Sequence, residues 1–223
     1  MLDHNLSAVY HAKALLFDMD GTLVDSTPVV ERTWHRFAKR HGLDGNVILA
    51  ESHGRRTAET IALFTPMHID RDRETARFIS EEIADVDGIT AIAGAQELLF
   101  ALPSNRWGVV TSATRELAMR RMTAAGLPIP DILIAAEDVQ KGKPAPDGYL
   151  SAAQALGVSP EECIVFEDAV PGLIAAKTAG MKVFAIGHAL EKNNFKYEHW
   201  MLDFTDLQLS IPISEDHYIL LGY

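Results

Sequence analysis

With 223 residues, 48% hydrophobic and 23% charged, the chain has the size and composition of one large globular domain or one domain carrying an insertion. A formal net charge of −11 speaks against general affinity for nucleic acid or anionic membrane. It leaves room for a small anionic ligand held by a metal ion and a few Lys or Arg. Cys163 is the only cysteine, which excludes an internal disulfide and a cysteine metal site.

Asp3 and His4 begin a segment that does not read as a signal peptide, and no apolar run is long enough to span a membrane, so a cytoplasmic protein is expected. Ala14–Phe17 is a short apolar run that predicts a buried strand, followed at once by Asp18-Met19-Asp20-Gly21-Thr22. From about Ser26 to Ile92 the pattern is helical. Val30, Trp34, Phe37 and His41 share one helical face that Gly42 terminates, Ala76, Ile79 and Ile83 repeat the spacing, and no strand is predicted between them. Trp34 is expected in the core of this segment.

From about Ala93 onward, strands and helices alternate. Strands are predicted at Trp107–Thr111, Ile132–Ala135, Cys163–Phe166 and Lys182–Ile186. Leu117, Ala118, Arg121, Met122 and Ala125 keep helical spacing up to Gly126. Tyr149, Leu150, Ala153 and Leu156 do so after Pro146-Asp147, until Gly157, and Leu173–Thr178 do so until Gly180. Ser159-Pro160-Glu161-Glu162 reads as a capping box with Pro at the first helical position. Cys163 adjoins an apolar run and reads as a core residue. The tail after about Ser210, with Ile211, Pro212, Tyr218 and Leu220, reads as packing or interface. Repeated β–α units predict an α/β fold: a Rossmann-like parallel sheet with helices on both faces. The expected division is a core of residues 1–25 and 93–223 and an inserted all-helical cap of residues 26–92.

Four strand ends carry the chemistry, and in open α/β sheets ligands bind at the carboxyl edge. Asp18 ends the first strand, and Gly21 and Thr22 turn the backbone so that Asp20 folds back beside it. One carboxylate there can attack an electrophile while its neighbour handles protons, with a divalent cation bridging them. Thr111 and Ser112 end the next strand; a hydroxyl there could cap a helix from Ala113 or donate to a phosphoryl oxygen. Lys143 lies in Lys141-Gly142-Lys143-Pro144-Ala145-Pro146, where two prolines and a glycine restrict the backbone around it. Glu167-Asp168 ends the strand that runs to Phe166 and could equally serve a helix dipole. Together the four ends deliver a nucleophile, an acid/base, a cation site and a charge clamp suited to a phosphoryl group.

In this order, DMDGT at 18–22, the Thr111 strand end, KPAPD at 143–147 and FEDAVPG at 166–172 resemble the four motifs of the haloacid dehalogenase superfamily. The resemblance runs to about Leu190. The helical insertion is similar to the cap of the subgroup containing β-phosphoglucomutase and small sugar-phosphate phosphatases. HGRRT at 53–57, WGVVTSATRE at 107–116 and GKPAPDGYL at 142–150 are most similar to hexitol-, 2-deoxyglucose-6-phosphate and glycerol-phosphate phosphatases.

The resemblance implies a magnesium-dependent phosphomonoesterase. Asp18 forms an aspartyl-phosphate and Asp20 is acid then base, with a pKa raised relative to Asp18 by the neighbouring charge. Thr111 and Lys143 neutralise phosphoryl oxygens. The implied Mg²⁺ ligands are Asp18, the Asp20 carbonyl and Asp168, with Glu167 close by. His53, Arg55, Arg56 and Ser112 are the candidates for reading the leaving group of a small sugar or polyol phosphate, in a monomer or homodimer without nucleic-acid or membrane partners.

The resemblance also bears on the alternatives. A mutase of this subgroup carries a cap His where this chain has Val30, which favours a phosphatase. A dehalogenase would not need Asp20. A phosphonate hydrolase needs a Schiff-base Lys on the cap, where Lys39 is the only lysine and faces away from the Trp34 stripe. A non-catalytic phospholigand-binding protein would be expected to lose Asp18 or Asp20.

Overall fold

A computed structural model describes residues 9–187, 199–210 and the backbone of 219–222. Asp3, His4, Ile211, Pro212 and Tyr218 lie outside the described residues. In chain order the elements are β1 (Val9–Ala12), β2 (Ala14–Phe17), β3 (Val24–Asp25), α1 (Thr27–His41), α2 (Gly45–Ser52), α3 (Thr57–Phe64), α4 (Arg71–Ala84) and β4 (Thr90–Ala91). There follow α5 (Ala95–Ala101), β5 (Trp107–Val110), α6 (Arg115–Ala124), β6 (Ile132–Ile134), α7 (Asp147–Leu156), β7 (Cys163–Glu167), α8 (Val170–Thr178), β8 (Lys182–Ile186), β9 (His199–Met201), β10 (Gln208–Ser210) and β11 (Ile219–Gly222).

The order of the main sheet is β6-β5-β2-β7-β8-β9, every pair parallel, which is the α/β architecture expected from the alternation. Because strand side chains alternate faces, Leu15 and Phe17 enter one buried cluster with Val109, Phe166 and Phe184, into which α5 and α6 send Leu98 and Met122. Ala14 and Leu16 enter a second with Val165, Tyr149 and Leu173, supplied by α7 and α8. Phe17 stacks on Phe166 at 5.1 Å and 10° across neighbouring strands. Cys163 is buried at the start of β7, and burial pushes its thiol up to about 12, as befits an unreactive core residue.

Two features were not legible in advance. β9 extends the sheet beyond β8, and β1, β11 and β10 form a separate antiparallel sheet that engages the backbone of the tail.

The helical insertion leaves and re-enters through an antiparallel ribbon, β3 on β4, with Val24 opposite Ala91 and Asp25 opposite Thr90. β4 falls within the segment read as wholly helical and β3 lies just before it; two residues in each are too few for a period-2 pattern to register. The four helices have their own core of Trp34, Phe37, Ile48, Ile61 and Phe78, with Trp34 and Phe78 rings 4.1 Å apart. Gly42 closes α1 in the left-handed region at φ 66°, its amide bonded to the Ala38 carbonyl.

The buried face of α4 differs from the expected one. Ala76 is exposed and Ile79 and Ile83 are only half-buried, whereas Phe78 and Glu82 are buried. The helix packs against both α1 and α6, and that double contact turns the Phe78–Glu82 line inward at the expense of the aliphatic one. Among the described residues no helix is long and apolar enough to cross a membrane.

Candidate active site

The sheet hydrogen bonds fix the site's backbone. The Asp18 amide donates to the Phe166 carbonyl at 3.0 Å, and the Thr111 amide to the Ile134 carbonyl at 2.9 Å, so each residue just past its strand is tied to the neighbouring strand. Asp18, Thr111 and Glu167 thus stand side by side at the carboxyl edge. Lys143 reaches them from the loop after β6, across a cis peptide to Pro144. Its ammonium donates to Asp18 Oδ1 and Glu167 Oε1. Glu167 accepts further from the Tyr149 hydroxyl at 3.0 Å and the Ala169 amide at 3.1 Å.

Asp18, Glu167 and Asp168 place carboxylate oxygens within 4.8 Å of one another. Burial pushes the Asp18 carboxyl up to about 7 against the pull of Lys143, with the Glu167 charge adding to the rise. Burial, then the charges of Asp18 and Glu167, push Asp168 well above the carboxylate range. Two buried carboxylates and a half-buried third thus cluster around one buried ammonium, which bonds to Asp18 and Glu167. That donor set suits a hard divalent cation, which would offset the surplus negative charge.

Two glycines make this crowding possible. At Gly21, φ is +87° and an added Cβ would stand 2.0 Å from Asp168 Oδ2; at Gly172 it would stand 1.7 Å from Glu167 Oε1. Thr22, next to Gly21, donates its hydroxyl to Asp168 Oδ1 at 3.5 Å.

Asp20 occupies a different environment. Its Oδ1 accepts from the Ser26 hydroxyl at 2.6 Å, and its Oδ2 pairs with Arg121 at 2.8 Å. The guanidinium also meets Glu82 of α4 at 2.6 Å, and Arg121 and Glu82 are both buried. Beside the neighbouring negative charge that the sequence led us to expect, Arg121 thus places a positive charge in contact with Asp20.

Between the sheet edge and the helical insertion lies a cavity of about 470 Å³, large enough for a small phosphorylated ligand. Asp18, Asp20, Thr111 and Asp168 form part of its floor; Val30, Trp34, His53 and Arg55 are among its lining from the insertion. His53 and Arg55 are exposed at its rim, with Arg55 3.7 Å from Glu51.

Arg56 and Ser112 act between the two parts of the chain. Arg56 donates to the Val139 and Gln140 carbonyls, at 2.8 and 3.3 Å, on the loop before Lys143, and Ser112 donates to the Gly54 carbonyl at 3.0 Å. The hydroxyl of Thr111 accepts from the Ala113 amide at 3.0 Å, but α6 is capped by Thr114, which accepts from Leu117, so the cap lies further along than Thr111 or Ser112.

Reading the sequence did not single out Ser26, Glu82, Arg121 or Tyr149 as site residues. Arg121 left a signal, because it sits among Leu117, Ala118 and Met122 on the buried stripe of its helix, where an Arg needs a partner. Glu82 was hidden by the neighbouring aliphatic residues that suggested another face.

A family model described as a haloacid dehalogenase-like hydrolase matches residues 12–180. Hexitol phosphatase A of Escherichia coli strain K12 is 43% identical over 178 residues, covering 78% of this chain and 82% of the relative. Glycerol-1-phosphate phosphohydrolase 2 of Saccharomyces cerevisiae is 34% identical over 197 residues, covering 82% and 78% respectively. Among solved structures, a β-phosphoglucomutase from Clostridium difficile superposes with a TM-score of 0.77 at 22% identity, covering 88% of this chain and 93% of that one, a likeness of fold.

Proposed function

Because the chain belongs to the haloacid dehalogenase-like hydrolases, we propose that it is a magnesium-dependent phosphatase of small sugar or polyol phosphates, working through an aspartyl-phosphate. The observation that carries this is the separation of two carboxylates that open into one cavity: Asp18 bonded to Lys143, Asp20 bonded to Ser26 and Arg121. One is set to attack and the other to move protons. The names of the hexitol and glycerol phosphate relatives support the substrate class.

In the first step an Asp18 carboxylate oxygen attacks phosphorus, the bond to the leaving alkoxide breaks, and Asp20 gives that oxygen a proton. In the second, Asp20 takes a proton from water as its oxygen attacks the phosphorus; inorganic phosphate leaves and the Asp18 carboxylate returns. Lys143 keeps Asp18 oriented and, with the Thr111 hydroxyl, meets charge on the transferring oxygens. Magnesium, when bound, supplies Lewis-acid charge to those oxygens; Asp18, Asp168 and the Asp20 carbonyl would hold it, with Glu167, bonded to Lys143 and Tyr149, steadying the set.

We assign residues 26–92 as the cap over the site and the remainder as the catalytic core. His53 and Arg55 at the cavity rim are candidates for contacting the leaving group, while the hydrogen bonds of Arg56 and Ser112 support a role in holding cap to core.

The test is magnesium-dependent phosphate release across sugar and polyol phosphates, with β-glucose 1-phosphate followed for isomerisation. Phosphate release that disappears in Asp18→Asn, with magnesium-dependent ligand binding retained, is expected. Glucose 6-phosphate appearing without free phosphate would make the protein a mutase despite Val30. Binding without turnover in the wild type would make it a phospholigand-binding protein.

A further inference from the structure

Arg121 is a charged group, 3% exposed, that neither phosphate chemistry nor the sheet requires. It is anchored in α6 of the core, and its two terminal nitrogens point to different parts of the chain: one to Asp20 at 2.8 Å, the other to Glu82, on cap helix α4, at 2.6 Å. Glu82 is likewise 3% exposed and accepts from this guanidinium. Burying two such charges is costly unless each is held in good geometry. Here the geometry is a chain of three charged residues running from the cap into the catalytic pocket.

From this juxtaposition we infer that Arg121 is a positioning residue for Asp20, and that Glu82 makes that positioning depend on the cap being seated. The inference rests on the reading of Asp20 as the acid/base. Asp20 follows the last residue of β2 by three positions and is bridged only to Val24, outside the main sheet, so its carboxylate is not fixed by that sheet. Arg121 and Ser26 fix one oxygen each. With Glu82 in place, the guanidinium is directed from both ends and its charge is shared. If the cap lifts, α4 carries Glu82 away and Arg121 loses one of its two anchors. Proton transfer demands placement within hydrogen-bond reach, so the open form attacks leaving groups that need a proton less effectively. The arrangement couples substrate enclosure to acid–base competence through side chains that need not touch the substrate.

A leaving-group comparison separates this role from a structural one. p-Nitrophenyl phosphate leaves as a stabilised phenolate and needs little help from an acid; sorbitol 6-phosphate leaves as an alkoxide and needs it fully. In single-turnover experiments with magnesium, Arg121→Met is expected to slow phosphorylation by sorbitol 6-phosphate about 100-fold, the lower end of an acid–base contribution. Nitrophenolate release should stay within about threefold and, with substrate in excess, become a burst, because the water step still needs Asp20. Glu82→Gln should give the same selectivity at about tenfold, and Arg121→Lys should recover part of it. Glu82→Gln/Arg121→Met should be no worse than Arg121→Met, the non-additivity of a shared pathway. This double variant also removes the unpaired buried carboxylate, so the comparison survives if the single variant fails to fold. Equal slowing of both substrates, or fully additive losses, would overturn the inference. A wild type inert toward both would remove the phosphatase reading, and the inference with it.

Discussion

Replacing Lys143 with Met keeps most of the stem and deletes the ammonium. Lys143 is 8% exposed, Asp18 7% and Glu167 1%, so the carboxylates left behind have little water to turn to. Removing one partner of a buried ion pair costs about 3–5 kcal/mol. For a chain of this length each kcal/mol moves the melting temperature about 2–4 °C, so Lys143→Met should melt about 6–20 °C lower. Protonation of Asp18, whose pKa is near 7, would mask part of the loss, so the scan belongs at pH 8.5 with chelator present. Asp18→Asn/Lys143→Met should regain at least a few degrees, because one of the stranded charges is gone. Magnesium should stabilise Lys143→Met more than it stabilises the wild type. A single variant that melts within about 2 °C of wild type, or a double variant less stable than the single, would refute the charge balance argued for this site.

Tyr149→Phe removes one buried donor to Glu167; a loss of about 1.5–2 kcal/mol in chemical denaturation is expected, with kcat falling less than about tenfold because Lys143 still holds Glu167. Gly172→Ala drives a methyl into Glu167 Oε1 and should cost about 1–3 kcal/mol, together with activity, as Glu167 shifts and takes Lys143 with it; a variant active as wild type would contradict the packing. Burial raises Glu82 from 4.5 to about 7, so its protonated form contributes stability that is complete below about pH 4.5 and lost as pH rises through about 7. Relative to Glu82→Gln, the wild type should therefore lose about 3 kcal/mol between those limits in chelator, and parallel stability curves would count against a buried Glu82.

Much of this site could be read from residue order because its chemistry sits at strand ends, and strand ends are where apolar runs stop. Asp18, Thr111, Lys143 and Asp168 each follow such a run or a turn, and the fold brings them to one edge. What escaped notice depends on helix rotation. A helix buries one face, and several residues compete to define it. On α4 the spacing of Ala76, Ile79 and Ile83 points to a different face from the one that Phe78 and Glu82 bury. Arg121 was correctly put on the apolar stripe of α6, but its partners come from segments far away in the chain, which periodicity does not encode. The roles of Arg56 and Ser112 between cap and core were hidden for the same reason: both donate to backbone carbonyls, and any sequence offers those.

The strand bearing Asp18 is made early and sits in the middle of the sheet. Its two hydrogen-bonding neighbours, β5 and β7, are encoded far downstream, and the roughly 150 residues from Phe17 to Phe166 take on the order of 10 s to synthesise. Until Trp107–Val110 has been made, Ala14–Phe17 is an apolar segment with neither neighbouring strand to join, and until β7 is made it has only one. A chain that stops before β7 holds Asp18 but lacks Asp168, Glu167 and the strand that fixes the Asp18 amide. Interrupted synthesis or a cut within β7 therefore yields no partly working enzyme: Asp18, the nucleophile we propose, meets its acidic partners only when nearly the whole core has been made.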